Sequence, residues 1–277
     1  VVGLVSGLLS IPEAILLGVV EGITEFLPIS STGHLLVVQQ LIGFDTAEAE
    51  SAADTYAIAV QFGAILAVAL LYRQRLSQMA AGLAFRSHDG QVVLTRLLMA
   101  FIPAALLGAV FGDAIKEQLF GPIPVVIAWA VGGIFLLLWR PRAGDMSLVQ
   151  MSARSAFIIG VAQALALWPG VSRSLVTLVA ALMIGLSMAA ALEFSFLLGL
   201  ATLSAASLYS LVRDGDELFE QFGVLAPVVG LIAAFITAVI AIKWLVGYLA
   251  THDLRIFGWY RLGVATVGAV LLLVGAL

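Results

Sequence analysis

The sequence predicts an all-α integral membrane protein built as an inverted-topology repeat. Each half is read as a re-entrant helix hairpin plus three transmembrane helices. Three observations predict this. Hydrophobic residues are 62% of the chain and charged residues 11%, with a mean hydropathy of +1.13, whereas a soluble chain carries about 25% charge. The apolar runs are long and separated by short charged loops, which suits spanning helices rather than alternating barrel strands. Two polar, Pro-containing breaks, Glu21 to His34 and Trp168 to Ser174, interrupt otherwise apolar sequence.

The elements follow in order. Glu21 and Glu25 are four apart and share one helix face. Pro28 stops that helix, and Ser30, Ser31 and Thr32 suit the N-cap of a second one running through His34. Residues 33–43 are too short to cross a hydrocarbon core of about 30 Å. Residues 1–43 therefore read as a hairpin that dips in and returns. An acidic loop follows from Phe44 to Asp54, then spans near 55–72, 92–112 and 122–139.

The second half repeats the plan. Residues 154–168 and 172–186 flank the Pro169-Gly170 break, and spans follow near 189–211, 224–248 and 257–277. Gly18-Val19-Val20-Glu21 aligns with Gly160-Val161-Ala162-Gln163, and the two Pro–Ser breaks align loosely. The whole is expected to be one transmembrane domain, with repeats of about 1–140 and 150–277. Three crossings per half turn the second half upside down, so the breaks meet from opposite faces.

Charge sets the orientation. Arg73, Arg75, Arg86, Arg140, Arg142, Arg154, Arg255, and near span ends Lys243 and Arg261, collect on one side, read as cytoplasmic. Lys116 and Arg213 fall on the other side with Asp45, Glu48, Glu50, Asp113, Glu117, Asp214, Asp216, Glu217 and Glu220. Both termini and the first hairpin's mouth then face outside. The absence of cysteine excludes disulfides, thiolate nucleophiles and zinc–thiolate or iron–sulfur sites. The net charge of −4 says little where most surface meets lipid, and no nucleic-acid partner is expected.

Intramembrane ionisable residues are functional candidates: here Glu21, Glu25, His34, Arg173 and Glu193. Half-helices starting at the breaks aim N–H groups inward and form an anion site. Arg173 can grip phosphate bidentately, and Ser31, Ser172, Ser174 and Thr177 add donors. The Glu pair would repel phosphate unless a hard cation such as Mg²⁺ or Ca²⁺, or a proton, sits between. That combination suits a phosphoanhydride and its hydrolysis. His34 and the Glu pair can act as acid and base, with Ser31 or water as nucleophile.

Structural readings stand beside these. Arg173 could brace a Glu, and phosphate binding is the reading preferred over bracing. His34 could be a helix-start histidine bonded to backbone, Glu193 a structural ion pair, and Gln163 a helix–helix hydrogen bond. A secondary transporter or flippase of a lipid phosphate or other anion is the alternative function, with Glu21, Glu25 and His34 as proton relay and Arg173 as gate. A hydroxyl beside both a base and an Arg favours the enzyme.

The paired motifs Glu21-Gly22-Ile23-Thr24-Glu25-Phe26-Leu27-Pro28 with Ser30-Ser31-Thr32-Gly33-His34, and Leu167-Trp168-Pro169-Gly170-Val171-Ser172-Arg173-Ser174, resemble those of the undecaprenyl-diphosphate phosphatases, the bacitracin-resistance protein family. The likeness runs essentially end to end, and Glu193-Phe194-Ser195-Phe196 shares it. It implies hydrolysis of undecaprenyl diphosphate to undecaprenyl phosphate and inorganic phosphate, recycling the peptidoglycan carrier and giving bacitracin resistance. It also implies a divalent cation, a homodimer, and a bacterial inner-membrane location with an outward-opening site. By resemblance Glu21, Glu25, Ser31, His34 and Arg173 are catalytic, with Glu21 and Glu25 as metal ligands. Ser30, Thr32, Ser172, Ser174 and Thr177 are substrate-binding. In the family pattern a Gly and a small residue follow Ser-Arg-Ser; here Leu175 and Val176 narrow that approach.

Overall fold

A computed structural model describes the backbone of residues 9–43, 47–139 and 144–277, and its regular elements are helices. The first hairpin is α1 (Ile11–Thr24) and α2 (Ser31–Leu41). Then come α3 (Ala47–Leu71), α4 (Arg73–Leu83), α5 (His88–Leu119) and α6 (Pro122–Leu138). The second hairpin is α7 (Ala153–Gln163), continued by a 3-10 turn over Ala164–Leu167, and α8 (Arg173–Met183). The chain ends with α9 (Met188–Phe222), α10 (Leu225–Leu249) and α11 (Arg255–Leu273).

Local chemistry sets the boundaries. A reciprocal capping box between Ser10 and Glu13 opens α1, with Pro12 in its first turn. Ser152 caps α7 and Ser172 caps α8, each accepting the N–H three residues on. Four helices, α5, α9, α10 and α11, contain segments long and apolar enough to span a membrane. The apolar part of α3 bends by 79° into α4 and makes a fifth with it. At 17 residues α6 is at the short edge of the spanning range, and it packs against α11.

Four boundaries differ from expectation. The spans expected near 92–112 and 189–211 run on to Leu119 and Phe222. The acidic stretch from Ala47 to Asp54, read as loop, is helical and extends α3. The stretch after Tyr72, also read as loop, is the separate helix α4. Only Phe44, Asp45 and Thr46 of the acidic loop lie outside the described residues, as do Arg140 and Arg142; the side chains of Glu48, Glu50, Asp54, Asp113, Lys116, Arg213, Asp214, Asp216, Glu217 and Glu220 lie outside the description too.

The helices exchange partners between halves: α1 and α3 pack on α10, while α7 packs on α5. Contacts also give directions. The Tyr56 hydroxyl lies 3.0 Å from the Ala14 carbonyl and 3.1 Å from that of Ala226, and Gly63 sits against Leu231 and Phe235. So α1, α3 and α10 run in parallel. Ser207 on α9 bonds Gln61 on α3 at 2.9 Å, whereas Phe196 meets Tyr72, so α9 runs the other way. Gly144 and Met146, ahead of α7, pair with Leu186 and Gly185, after α8. Thus α7 starts where α9 starts. Arg96 donates to the Met151 carbonyl at 2.9 Å and Gly160 lies on Ala100, so α5 follows α7. The two hairpins therefore enter from opposite ends, an inverted topology, and their breaks meet inside.

Close approach of α1 to α10 depends on Gly18, where a Cβ would run into the Gly230 carbonyl. Gly18→Ala should destabilise the fold by about 1–3 kcal/mol, as overpacking does, seen as a lower Tm in detergent. Gly247→Ala, in open space on the same α10, should not lower it. Equal melting of the two variants would contradict this packing.

Candidate active site

Pro28 has no N–H, so the first break cannot continue the helical ladder, and its carbonyls need donors from elsewhere. Each finds one. Leu27 O accepts from Ser174 Oγ at 2.8 Å and Ser172 Oγ at 3.3 Å. Pro28 O accepts from Arg261 at 3.4 Å, and Ile29 O from the Trp129 indole at 3.0 Å. Ser30 O lies 2.6 Å from His34 Nδ1. Ser30 itself has φ 74° and ψ 101°, a conformation rare outside glycine, and it caps α2 by accepting from the Gly33 N–H.

The second break turns at Gly170, with φ 88°. A Cβ there would also strike the Val125 carbonyl, so glycine is required twice over. Ser172 then starts α8 and aims Arg173 at the first break.

The cluster at the junction is Glu25, Ser31 and Arg173, with Glu21 behind it. Glu25 is buried and uses both carboxylate oxygens: Oε2 accepts from the Ser31 hydroxyl, and Oε1 lies 2.7 Å from Arg173 Nη2. Arg173 Nη1 donates to the Ser195 carbonyl at 3.1 Å, and its guanidinium carbon lies 5.2 Å from the centre of the Phe26 ring. Gly199 leaves the room that the guanidinium fills. Arg173 Nε is buried without a partner. Glu21 is 1% exposed, meets the Gln61 side chain, and keeps Oε1 unpartnered within electrostatic reach of Glu25 and Arg173.

The sequence-derived candidates thus separate. Glu21, Glu25, Ser31 and Arg173 come together. The choice between phosphate binding and bracing for Arg173 was too sharp, because the structure has it ion-paired with Glu25. His34 bonds Ser30 and Tyr260 rather than the Glu–Ser–Arg cluster. The hydroxyls of Ser172 and Ser174 tie α8 to the first break, and Thr177 lies 2.6 Å from Ser195 Oγ. Ser30 works as the N-cap. Thr32 is exposed. Glu193 is a structural ion pair as expected, 2.5 Å from Arg75. Gln163 is not the expected helix–helix bond: both its amide atoms are buried without a hydrogen-bond partner.

Sequence reasoning misplaced one residue that matters. Arg261 was counted as a charge near a cytoplasmic span end, but it is 0% exposed. Besides Pro28 O it donates to Ala128 O at 2.8 Å and Gly170 O at 2.9 Å, joining both breaks to α6. Its place inside the expected 257–277 span, rather than in the loop before it, is the signal that could have found it. Chemically, the junction offers a hydroxyl bonded to a carboxylate base, a guanidinium beside both, and a spare buried carboxylate oxygen. Those are the parts of a phosphoryl-transfer site.

Comparison with known proteins gives the chain's relatives. The Undecaprenyl-diphosphatase 2 of Rhodospirillum rubrum is 45% identical over 264 residues, 92% of each chain. The Undecaprenyl-diphosphatase of Sorangium cellulosum is 43% identical over 92% of this chain and 84% of its own. The Undecaprenyl-diphosphatase 1 of Chromobacterium violaceum is 44% identical over 92% of this chain and 94% of its own. With the model of the bacitracin resistance protein BacA matching residues 14–267, the chain belongs to that family.

Proposed function

We propose that the chain hydrolyses undecaprenyl diphosphate to undecaprenyl phosphate and inorganic phosphate, as an enzyme embedded in the bacterial inner membrane. The observation that carries this is the Ser31–Glu25–Arg173 contact, which brings a hydroxyl, a carboxylate and a guanidinium to one junction. In this reading Ser31 Oγ attacks the terminal phosphorus as Glu25 takes its proton. The anhydride P–O bond breaks, and undecaprenyl phosphate leaves with the proton handed on by Glu25. Water then attacks the phosphoserine, passing a proton to Glu25, which returns it to Ser31 Oγ as phosphate departs. Arg173 follows the charge: paired with Glu25 at rest, it turns its Nη groups and its unpartnered Nε to the phosphate oxygens as they gain charge.

A divalent cation fits the donor set. Glu21 and Glu25 would hold it, since hard cations take carboxylate and phosphate oxygens, and Glu21 Oε1 is buried without a partner. No group of three or more acidic, His or Cys ligands occurs among the described residues. Mg²⁺ often makes do with one or two carboxylates and completes its shell with substrate oxygens and water. When bound, the ion supplies charge neutralisation for the diphosphate. Chelation should abolish phosphate release, and Mg²⁺ or Ca²⁺ should restore it; full turnover in chelator removes the metal from the reading.

The functional unit is a homodimer, and the site opens to the outer side. A single chain's mass by light scattering in detergent would remove the dimer. The orientation rests on Arg73, Arg75 and Arg86 around α4. Single cysteines at Phe85 and Val224, both well exposed in a chain without cysteine, should label from the cytoplasmic and outer faces respectively. Labelling of both from one face contradicts the arrangement.

The ion pair makes activity and stability separable. Glu25→Gln should lower kcat by roughly 10²–10⁴-fold, the range for loss of a general base. Arg173→Ala leaves Glu25 buried and unpaired, so its Tm should fall. Adding Glu25→Gln should recover Tm without recovering turnover. Arg173→Lys, which keeps charge but loses the planar guanidinium, should fold and remain strongly impaired in kcat. Wild-type turnover in Arg173→Lys or Glu25→Gln contradicts the assignment.

A further inference from the structure

His34 bonds the backbone of Ser30, the residue before Ser31, and its hydrogen bonds settle its tautomer. Nδ1 lies 2.6 Å from the Ser30 carbonyl, which can only accept, so Nδ1 carries a hydrogen. In the neutral ring Nε2 is then the basic nitrogen. It lies 2.9 Å from the hydroxyl of Tyr260. The two rings stack at 5.6 Å and 17°, and Trp129 closes the other side at 4.9 Å. Tyr260 precedes Arg261 on α11. The cation that joins the two breaks and the phenol that holds the histidine thus come from adjacent residues of one helix. Arg261 is the charged group facing His34.

We propose that Tyr260 is a positioning residue for His34, keeping Nε2 hydrogen-bonded in both protonation states of the imidazole. A hydroxyl can do this without moving. While His34 is neutral, Tyr260 O–H donates to Nε2. When Nε2 takes a proton from water or from the reacting phosphate, the phenol hydrogen rotates away. The phenol oxygen then accepts from Nε2–H. Tyr260 neither gains nor loses a proton, and the bond survives the transfer. Backbone alone would fix Nδ1 but leave the ring free to swing about it. Stacking on Tyr260 and the Trp129 contact restrict that swing, and the hydroxyl sets its end point.

This rests on the proposed diphosphate hydrolysis and on the sequence expectation that His34 acts in it as acid or base, and the test separates the two. Phosphate release from undecaprenyl diphosphate is measured for wild type, Tyr260→Phe, His34→Ala and the double variant, each with its Tm. Phe keeps the ring and loses only the hydroxyl. Tyr260→Phe should lower kcat by about tenfold, less than the roughly 10²–10⁴-fold that loss of a general acid or base costs, with KM changed less than twofold. The same substitution should change nothing further in the His34→Ala background, because its effect runs through the imidazole. A wild-type chain that releases no phosphate overturns the functional reading itself. With an active wild type, three outcomes overturn only the present inference: full kcat in Tyr260→Phe, an undiminished loss in the His34→Ala background, or a loss confined to KM.

Discussion

Four successive backbone carbonyls, Leu27 to Ser30, must be hydrogen-bonded inside an apolar protein where Pro28 forbids a helix. In a membrane interior, water cannot do it, and each unmet group costs several kcal/mol. The structure meets the demand with side chains from α8, α11, α6 and α2: Ser174, Arg261, Trp129 and His34. The Leu27 and Ser30 carbonyls also accept from the Ile29 and His34 N–H groups within the hairpin, whereas those of Pro28 and Ile29 take their donors from α11 and α6. The break is thus tied into the assembled fold.

That coupling explains the placement of charge. Arg261 is fully buried, a costly state made tolerable by three carbonyls, from the two breaks and α6. It fixes the second break at Gly170 against the first at Pro28, and so sets where α8 begins. Arg173, the first residue of α8, then reaches Glu25. Removing one partner of this pair would strand a buried charge, whereas a phosphate arriving between them offers each a substitute: oxygens for the guanidinium, and a cation or proton for the carboxylate. A resting ion pair and a phosphate site are in this sense two states of the same residues.

Composition, run length and the two Pro breaks made the fold class legible, and three-crossing parity made the inversion legible. Glu21, Glu25, Ser31 and Arg173 were readable because carboxylates and an Arg in apolar sequence have few other uses. What periodicity cannot supply is the register between halves. That is why Ser174 and Ser172 were read as ligands of the substrate when their hydroxyls also meet the Leu27 carbonyl, and why Tyr260 went unnoticed 226 positions from His34. Arg261 was absorbed into the loop-charge count because it lies only one and a half turns or so into its helix. The acidic Ala47–Asp54 stretch was read as loop from its charge, yet it is helical, since an amphipathic or polar extension of a span satisfies its backbone internally.

The central claim is that the phosphate reacts at the junction of the two breaks. An experimental structure with Mg²⁺ and a non-hydrolysable polyprenyl diphosphate analogue tests it most directly. The account predicts the terminal phosphate between Ser31 Oγ and the Arg173 guanidinium, with the cation on Glu21 and Glu25 and the Arg173–Glu25 contact opened. A diphosphate seated elsewhere, with that ion pair intact, would contradict it.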